Sequence, residues 1–266
     1  MTWLFALTVA GYAVASALLL AVAWQDKGAP RPALQRAAAI AFGLGFLTQT
    51  ADIGLQCLRG LHPLATARDA TSAMAWVLGG LCLFLWKRQR QVILASLLVP
   101  LMLVLYAVAR LSPSDEPPRA GSLLGSIHIL FALLGVALFA VAAGSAVVYL
   151  TSERALKRHR AGRPPGSSPA TSLEALDRLN RRAIGFGFPV FSVAIVSGAM
   201  WLAQLREPGR HLVQLLLSGG AWLIFAALLV MRLVVGMRGR RSAQFTVAGF
   251  LTALAVLLVY VVQGAG

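Results

Sequence analysis

Apolar residues run along this chain in eight long blocks separated by short polar segments. The blocks cover roughly Trp3 to Trp24, Ala37 to Leu58, Thr71 to Trp86, Gln91 to Ala109, Ser122 to Leu150, Ala183 to Gln204, Leu212 to Gly236 and Ala243 to Gln263. A block of about 20 apolar residues is what a helix needs to cross a hydrocarbon core about 30 Å thick. Within lipid the backbone must satisfy its own hydrogen bonds, and the blocks do not alternate as barrel strands would. The pattern predicts an all-α polytopic membrane helix bundle of about eight transmembrane helices, read as a single integral membrane domain over residues 1–266. The third block is the shortest, and the fifth is long enough to tilt or project.

Charge orients the bundle. Of the 24 Lys and Arg residues, 18 fall in the segments after the first, third, fifth and seventh blocks, with Arg232 near the end of the seventh block counted among them, and six in the other three. The positive-inside bias therefore predicts N-out/C-out in a plasma (inner) membrane. The opening "MTW" has no basic n-region, which argues for an uncleaved first helix. A net charge of +15 would suggest nucleic-acid binding in a soluble protein. Here it matches topology and contact with membrane lipid, and no nucleic-acid motif accompanies it. Residues 151–182 form the longest basic loop. Within it, "RHRAGRPPGSSPATS" reads as a linker, and "SLEALDRLNRR" as a short interfacial helix. Cys57 and Cys82 differ in expected depth and form no Cys-x-x-Cys pair, so neither a disulfide nor a redox motif is expected.

Ionisable and polar groups at membrane depth carry the candidate chemistry. His128, in "GSIHILFALLGVALFA", could ligate a metal or haem iron, shuttle a proton, or hydrogen-bond a neighbouring helix. Gln49, Asp52 and Gln56 share one helical face pointing into the bundle. Asp52 on that face could answer a ligand's charge, or pair with Arg59 or Arg110. His62 and Asp69, and the set Arg206, Glu207, Arg210 and His211, are candidates in the segments assigned to the outer side. No catalytic triad, phosphate-cradling loop or carboxylate cage is present, so nothing marks the chain as an enzyme by itself.

Four segments in order are similar to the cytochrome c assembly protein family, with its CcsA, CcmC and HemX-type members. "PLATARDATSAMAW" resembles a stretch with a proline, a carboxylate and a closing Trp, placing Asp69 where the family usually has Glu. "IHILFALLGVALFAVAAGSAVVYLTSERALKR" resembles its histidine-led helix. "GFGFPVFSVAIVSGAMW" resembles the span ending in Gly-x-x-Trp, and "GAWLIFAALLVMRLVVGMRGRRSAQFTVAGF" the Trp-led span with its basic turn. The chain departs from the synthase members in the loop "LAQLREPGRH", which replaces a tryptophan-rich haem platform, and no histidine follows His211. With Gln49 where HemX-like members often have His, it looks like the short, HemX-like branch.

The resemblance implies a haem-handling role in cytochrome c assembly or haem biogenesis, with haem bound or presented at the outer face. Possible partners are other assembly proteins and apocytochrome. Haem is flat and apolar with anionic propionates, so its site needs an axial histidine, apolar walls and nearby Arg. His128 would supply the ligand, Trp76, Trp201 and Trp222 the walls, Arg206 or Arg210 the counter-charge, and His62 or His211 a second ligand. Two other readings remain at this level. One is a small-molecule transporter with a path along Gln49, Asp52 and Asp69; the other is a non-haem scaffold that regulates partner proteins.

Overall fold

The computed structural model describes residues 2–24, 32–60, 64, 66–89, 92–111, 123–159, 170–204 and 212–263. Among them are eight helices and no strand: α1 (Thr2–Trp24), α2 (Pro32–Leu58), α3 (Ala67–Gln89), α4 (Val92–Leu111), α5 (Leu123–His159), α6 (Ala170–Leu202), α7 (Leu212–Val234) and α8 (Arg240–Gln263). Seven are long and apolar enough to cross a membrane, and the remaining apolar stretch, Leu94–Arg110 of α4, is shorter. The polytopic all-α architecture expected from the hydrophobic pattern is the one that forms. Large apolar side chains such as Ile40, Leu47, Leu216, Leu223 and Leu233 stand more than half exposed on the helices. In water such a surface would aggregate; facing hydrocarbon it is satisfied.

Helices α3 and α6 start before their sequence blocks. α3 starts four residues early because Thr66 and Asp69 form a reciprocal cap. The Asp69 backbone N–H donates to Thr66 Oγ1 at 3.1 Å, and the Thr66 hydroxyl donates to the Asp69 carboxylate at 2.7 Å. This N-cap satisfies an N–H that has no partner inside the helix, so the polar run of Arg68 to Ser72 is helical. α6 starts at Ala170, so the segment expected as an interfacial helix and the following span form one helix of 33 residues. At 1.5 Å per residue α5 and α6 are roughly 55 and 50 Å long, well beyond a bilayer core. Their i,i+4 pairs Glu153–Lys157 and Glu174–Arg178 lie at 2.8 and 2.6 Å in the polar extensions.

The chain divides into two compact units, Met1–Ser122 with Val261–Gly266, and Leu123–Tyr260. In the first, α1 packs on α2 and α4, and α3 on α4. The buried face of α2 is Ala38, Phe42, Gly45, Gln49, Asp52 and Gln56, alternating steps of four and three. That is the seam of left-handed helix packing, here apolar in one half and polar in the other. A Cβ on Gly11 would lie 2.9 Å from Gly45 Cα, so only glycine permits this approach of α1 to α2.

In the second unit α5 and α6 form the most extensive helix pair. Their seam matches large residues to glycines across the interface. Trp201 lies against Gly125, His128 against Gly198, Phe191 against Gly135 and Phe139 against Gly187. On each helix these positions repeat in steps of three, four or seven, which keeps one stripe facing the antiparallel partner. Small residues let the backbones approach closely where apolar burial gives no advantage over lipid.

Candidate functional site

His128 sits on α5, and its Nδ1 lies 2.8 Å from the carbonyl oxygen of Ala194 on α6. A carbonyl can only accept, so Nδ1 carries the proton and Nε2 keeps its lone pair. This is the arrangement metal-binding histidines use, one ring nitrogen held by an acceptor and the other left to ligate. Gly198 makes it possible. A Cβ there would fall 2.6 Å from His128 Nδ1 and 2.7 Å from Cε1, so any larger residue would displace the ring. The Trp201 ring stands beside the imidazole, centroids 6.0 Å apart and tilted by 37°. Its own place depends on Gly125, where a Cβ would lie 3.1 Å from the indole.

Trp222 is placed elsewhere. Its indole N–H on α7 donates to Ser192 Oγ at 2.9 Å, and its ring lies 5.4 Å from Phe188. Trp222 therefore buttresses α6 at Ser192, whereas Trp201 accompanies His128. Trp76 belongs to the first unit, donating to Thr50 Oγ1 at 2.9 Å and stacking on Phe46. His62, Arg206, Arg210 and His211 lie outside the described residues. Among the described residues no group of three or more His, Cys, Asp or Glu side chains could hold a metal ion. His128 and Trp201 together present an imidazole lone pair beside an aromatic wall.

The polar stripe of α2 has partners on three helices. The Tyr12 hydroxyl of α1 donates to Gln49 Oε1 at 2.6 Å, and the Gln49 amide donates to the Ser72 carbonyl of α3 at 3.0 Å. Asp52 pairs with Arg110 of α4. With the Gln56 amide oriented so that its oxygen faces Arg110, that oxygen accepts from both terminal guanidinium nitrogens at 3.0 and 3.3 Å. The Arg110 guanidinium also lies 5.6 Å from the Tyr106 ring centre. Of the two cationic partners open to Asp52 in the sequence, the structure selects Arg110. Asp69 is occupied in capping α3.

A second polar centre lies at the other end of unit two. Arg232 counted there as a loop cation, yet its side chain is only 7% exposed. Its Nε donates to Ser242 Oγ of α8 at 2.6 Å, and a terminal nitrogen reaches Asn180 Oδ1 of α6 and the same serine. Asp177 lies 3.9 Å away, and the Asn180 amide donates to the Ala142 carbonyl of α5 at 2.7 Å. Four helices thus meet on Asn180 and Arg232. The signal that was available is a single cation inside the apolar run "LLVMRLVV".

The fold and these buried centres define a polytopic helical membrane protein whose second unit carries a histidine-bearing helix pair. Residues 64–264 match the profile of the family described as cytochrome C assembly protein. The chain belongs to that family. It is 23% identical over 234 residues to the "Cytochrome c biogenesis protein CcsA" of Guillardia theta, covering 78% of this chain and 76% of that protein. The protein of the same name from Synechococcus sp. (strain RCC307) is 24% identical over 269 residues, 88% of this chain and 85% of its own length. That of Gloeobacter violaceus (strain ATCC 29082 / PCC 7421) is 31% identical over 150 residues, 54% of this chain and 38% of its own. No solved structure matches the chain.

Proposed function

We propose that this protein handles haem during cytochrome c biogenesis, taking haem as cargo with His128 Nε2 as an axial ligand. One observation carries the reading: His128 Nδ1 is committed to the Ala194 carbonyl, which leaves Nε2 as the ring's ligating atom. Family membership and the CcsA relatives supply the context. Trp201 forms the aromatic wall beside the ligand, and Trp222 supports α6 behind it. Arg210 is proposed as the propionate counter-charge, and His62 or His211 as a second ligand. By its short loop "LAQLREPGRH" the chain is assigned to the HemX-like branch, with other assembly proteins and apocytochrome as partners. The charge bias supports N-out/C-out in the plasma membrane, which sets the His128 end of α5 outward.

What haem supplies when bound is a ferrous or ferric iron that accepts one imidazole nitrogen and a porphyrin face that seeks apolar contact. What the chain supplies is orientation: the Ala194 carbonyl fixes the tautomer, Gly198 fixes the ring position, and Trp201 excludes water from one side. The transporter reading wants discontinuous helices. α4 and α6 instead run unbroken through Pro100 and Pro189. Haem titration of the purified full chain in detergent tests the proposal. Wild type should give a Soret band of histidine-ligated type. His128→Ala should weaken binding by about tenfold or more, the loss of roughly 1.4 kcal/mol or greater, while His159→Ala should match wild type. A wild type that takes up no haem, or an unchanged His128→Ala, removes the assignment.

A further inference from the structure

Every carboxylate described at the end of unit two where α6 enters its apolar run is already in the company of a cation. Glu153 holds Lys157, Glu174 holds Arg178, and Asp177 lies beside Arg232. That leaves Arg154, Arg181, Arg182, Arg238, Arg240 and Arg241, all exposed. Among the described residues none of the six has an ion pair or hydrogen-bond partner. They come from three segments that the fold gathers. Arg181 follows Asn180 and Arg241 precedes Ser242, and Asn180 and Ser242 both bind the buried Arg232. The turn joining α7 to α8 abuts α5, since a Cβ on Gly239 would lie 3.2 Å from the Tyr149 hydroxyl. Gly239 has φ +73°, a backbone conformation that glycine adopts without penalty.

We infer that this end of unit two is a docking surface for anionic phospholipid headgroups. Its depth argues for lipid. Arg182 immediately precedes the apolar run that starts at Ala183, and Arg240 and Arg241 open α8 just before its own. Arg154 stands one turn beyond Leu150. The six guanidinium groups thus lie at the first polar level outside the hydrocarbon, where a bilayer presents its phosphates. Beneath them the buried Arg232 is balanced by Asp177, 3.9 Å away, so the uncompensated charge of the site is that of its six exposed arginines. A phosphate diester suits guanidinium groups through paired N–H donors.

Bulk positive charge at one end would also follow from orientation alone, and the test separates the two. The full chain is purified in detergent and stripped of lipid. Retention of added phosphatidylglycerol and phosphatidylcholine is then measured by native mass spectrometry. Phosphatidylglycerol should be retained in preference. Arg240→Gln/Arg241→Gln should lower its retention about 25-fold, from about fivefold per arginine, and Arg181→Gln/Arg182→Gln should act alike. Lys157→Gln/Arg178→Gln removes the same net charge from cations already paired and should change retention less than about threefold. Excess inorganic phosphate should fail to displace the lipid. Equal losses in the paired and unpaired variants, or no preference for phosphatidylglycerol, overturn the inference. Displacement by phosphate shows a site for soluble anions and overturns it too.

Discussion

At the scale of single residues, Gly198 decides where the His128 imidazole lies. Adding a methyl group there puts a carbon 2.6 Å from Nδ1, and the ring must leave the Ala194 carbonyl. Gly198→Ala is therefore expected to lower haem affinity severalfold and to cost about 1–3 kcal/mol of stability as overpacking. Gly185→Ala, with nothing within 4 Å of the new carbon, is the matched control. It should bind haem normally and melt no lower, since alanine is the better helix former by up to about 1 kcal/mol. Titration and thermal melting of the two variants check this, and equal behaviour contradicts it. His128 was legible in the sequence because a lone imidazole in an apolar run is costly without a purpose. Ala194 was not, because a carbonyl acceptor leaves no polar mark, and Gly198 stood out only as the glycine of Gly-x-x-Trp. Their contacts with the imidazole become visible only once the register of α5 on α6 is known.

At the scale of elements, the Asp52–Arg110 pair ties α2 to α4 inside the first unit. Asp52 is 2% exposed and Arg110 11%, so neither can fall back on water. Asp52→Leu leaves the guanidinium buried and uncompensated, which should cost about 3–5 kcal/mol. Asp52→Leu/Arg110→Leu should recover most of that loss, because an apolar pair replaces a buried ion pair at little net cost. Thermal melting in detergent decides it: a double variant no better than the single one would show that the carboxylate does more than balance Arg110. The face holding Gln49, Asp52 and Gln56 was readable from spacing alone, but spacing could not choose between Arg59 and Arg110. Nor could it foresee that the Thr66–Asp69 cap lengthens α3, or that the segment Leu173–Arg182 joins its span in one helix. The cap depends on two neighbouring residues closing hydrogen bonds with each other, which periodicity does not record.

At the scale of the whole molecule, hydropathy made the class of the protein plain, since 58% apolar and 12% charged residues in long blocks fit only a membrane bundle. The buried Arg232 shows the limit of that reading: counting Lys and Arg treats every cation as a loop charge, whereas this one joins α6, α7 and α8. Orientation still rests on the remaining bias, and reporter fusions after Gly266 should register outside while fusions within residues 164–172 register inside. A cytoplasmic C-terminus would overturn the eight-span count or the orientation. The central claim concerns one bond, from His128 Nε2 to haem iron, and resonance Raman spectroscopy of the ferrous haem-loaded full chain reports the coordination state of that iron directly. The account expects the wild-type coordination-marker bands to change in His128→Gly and to return when imidazole is added to fill the space. The same bands persisting unchanged in His128→Gly would mean that another group holds the iron, and would contradict it.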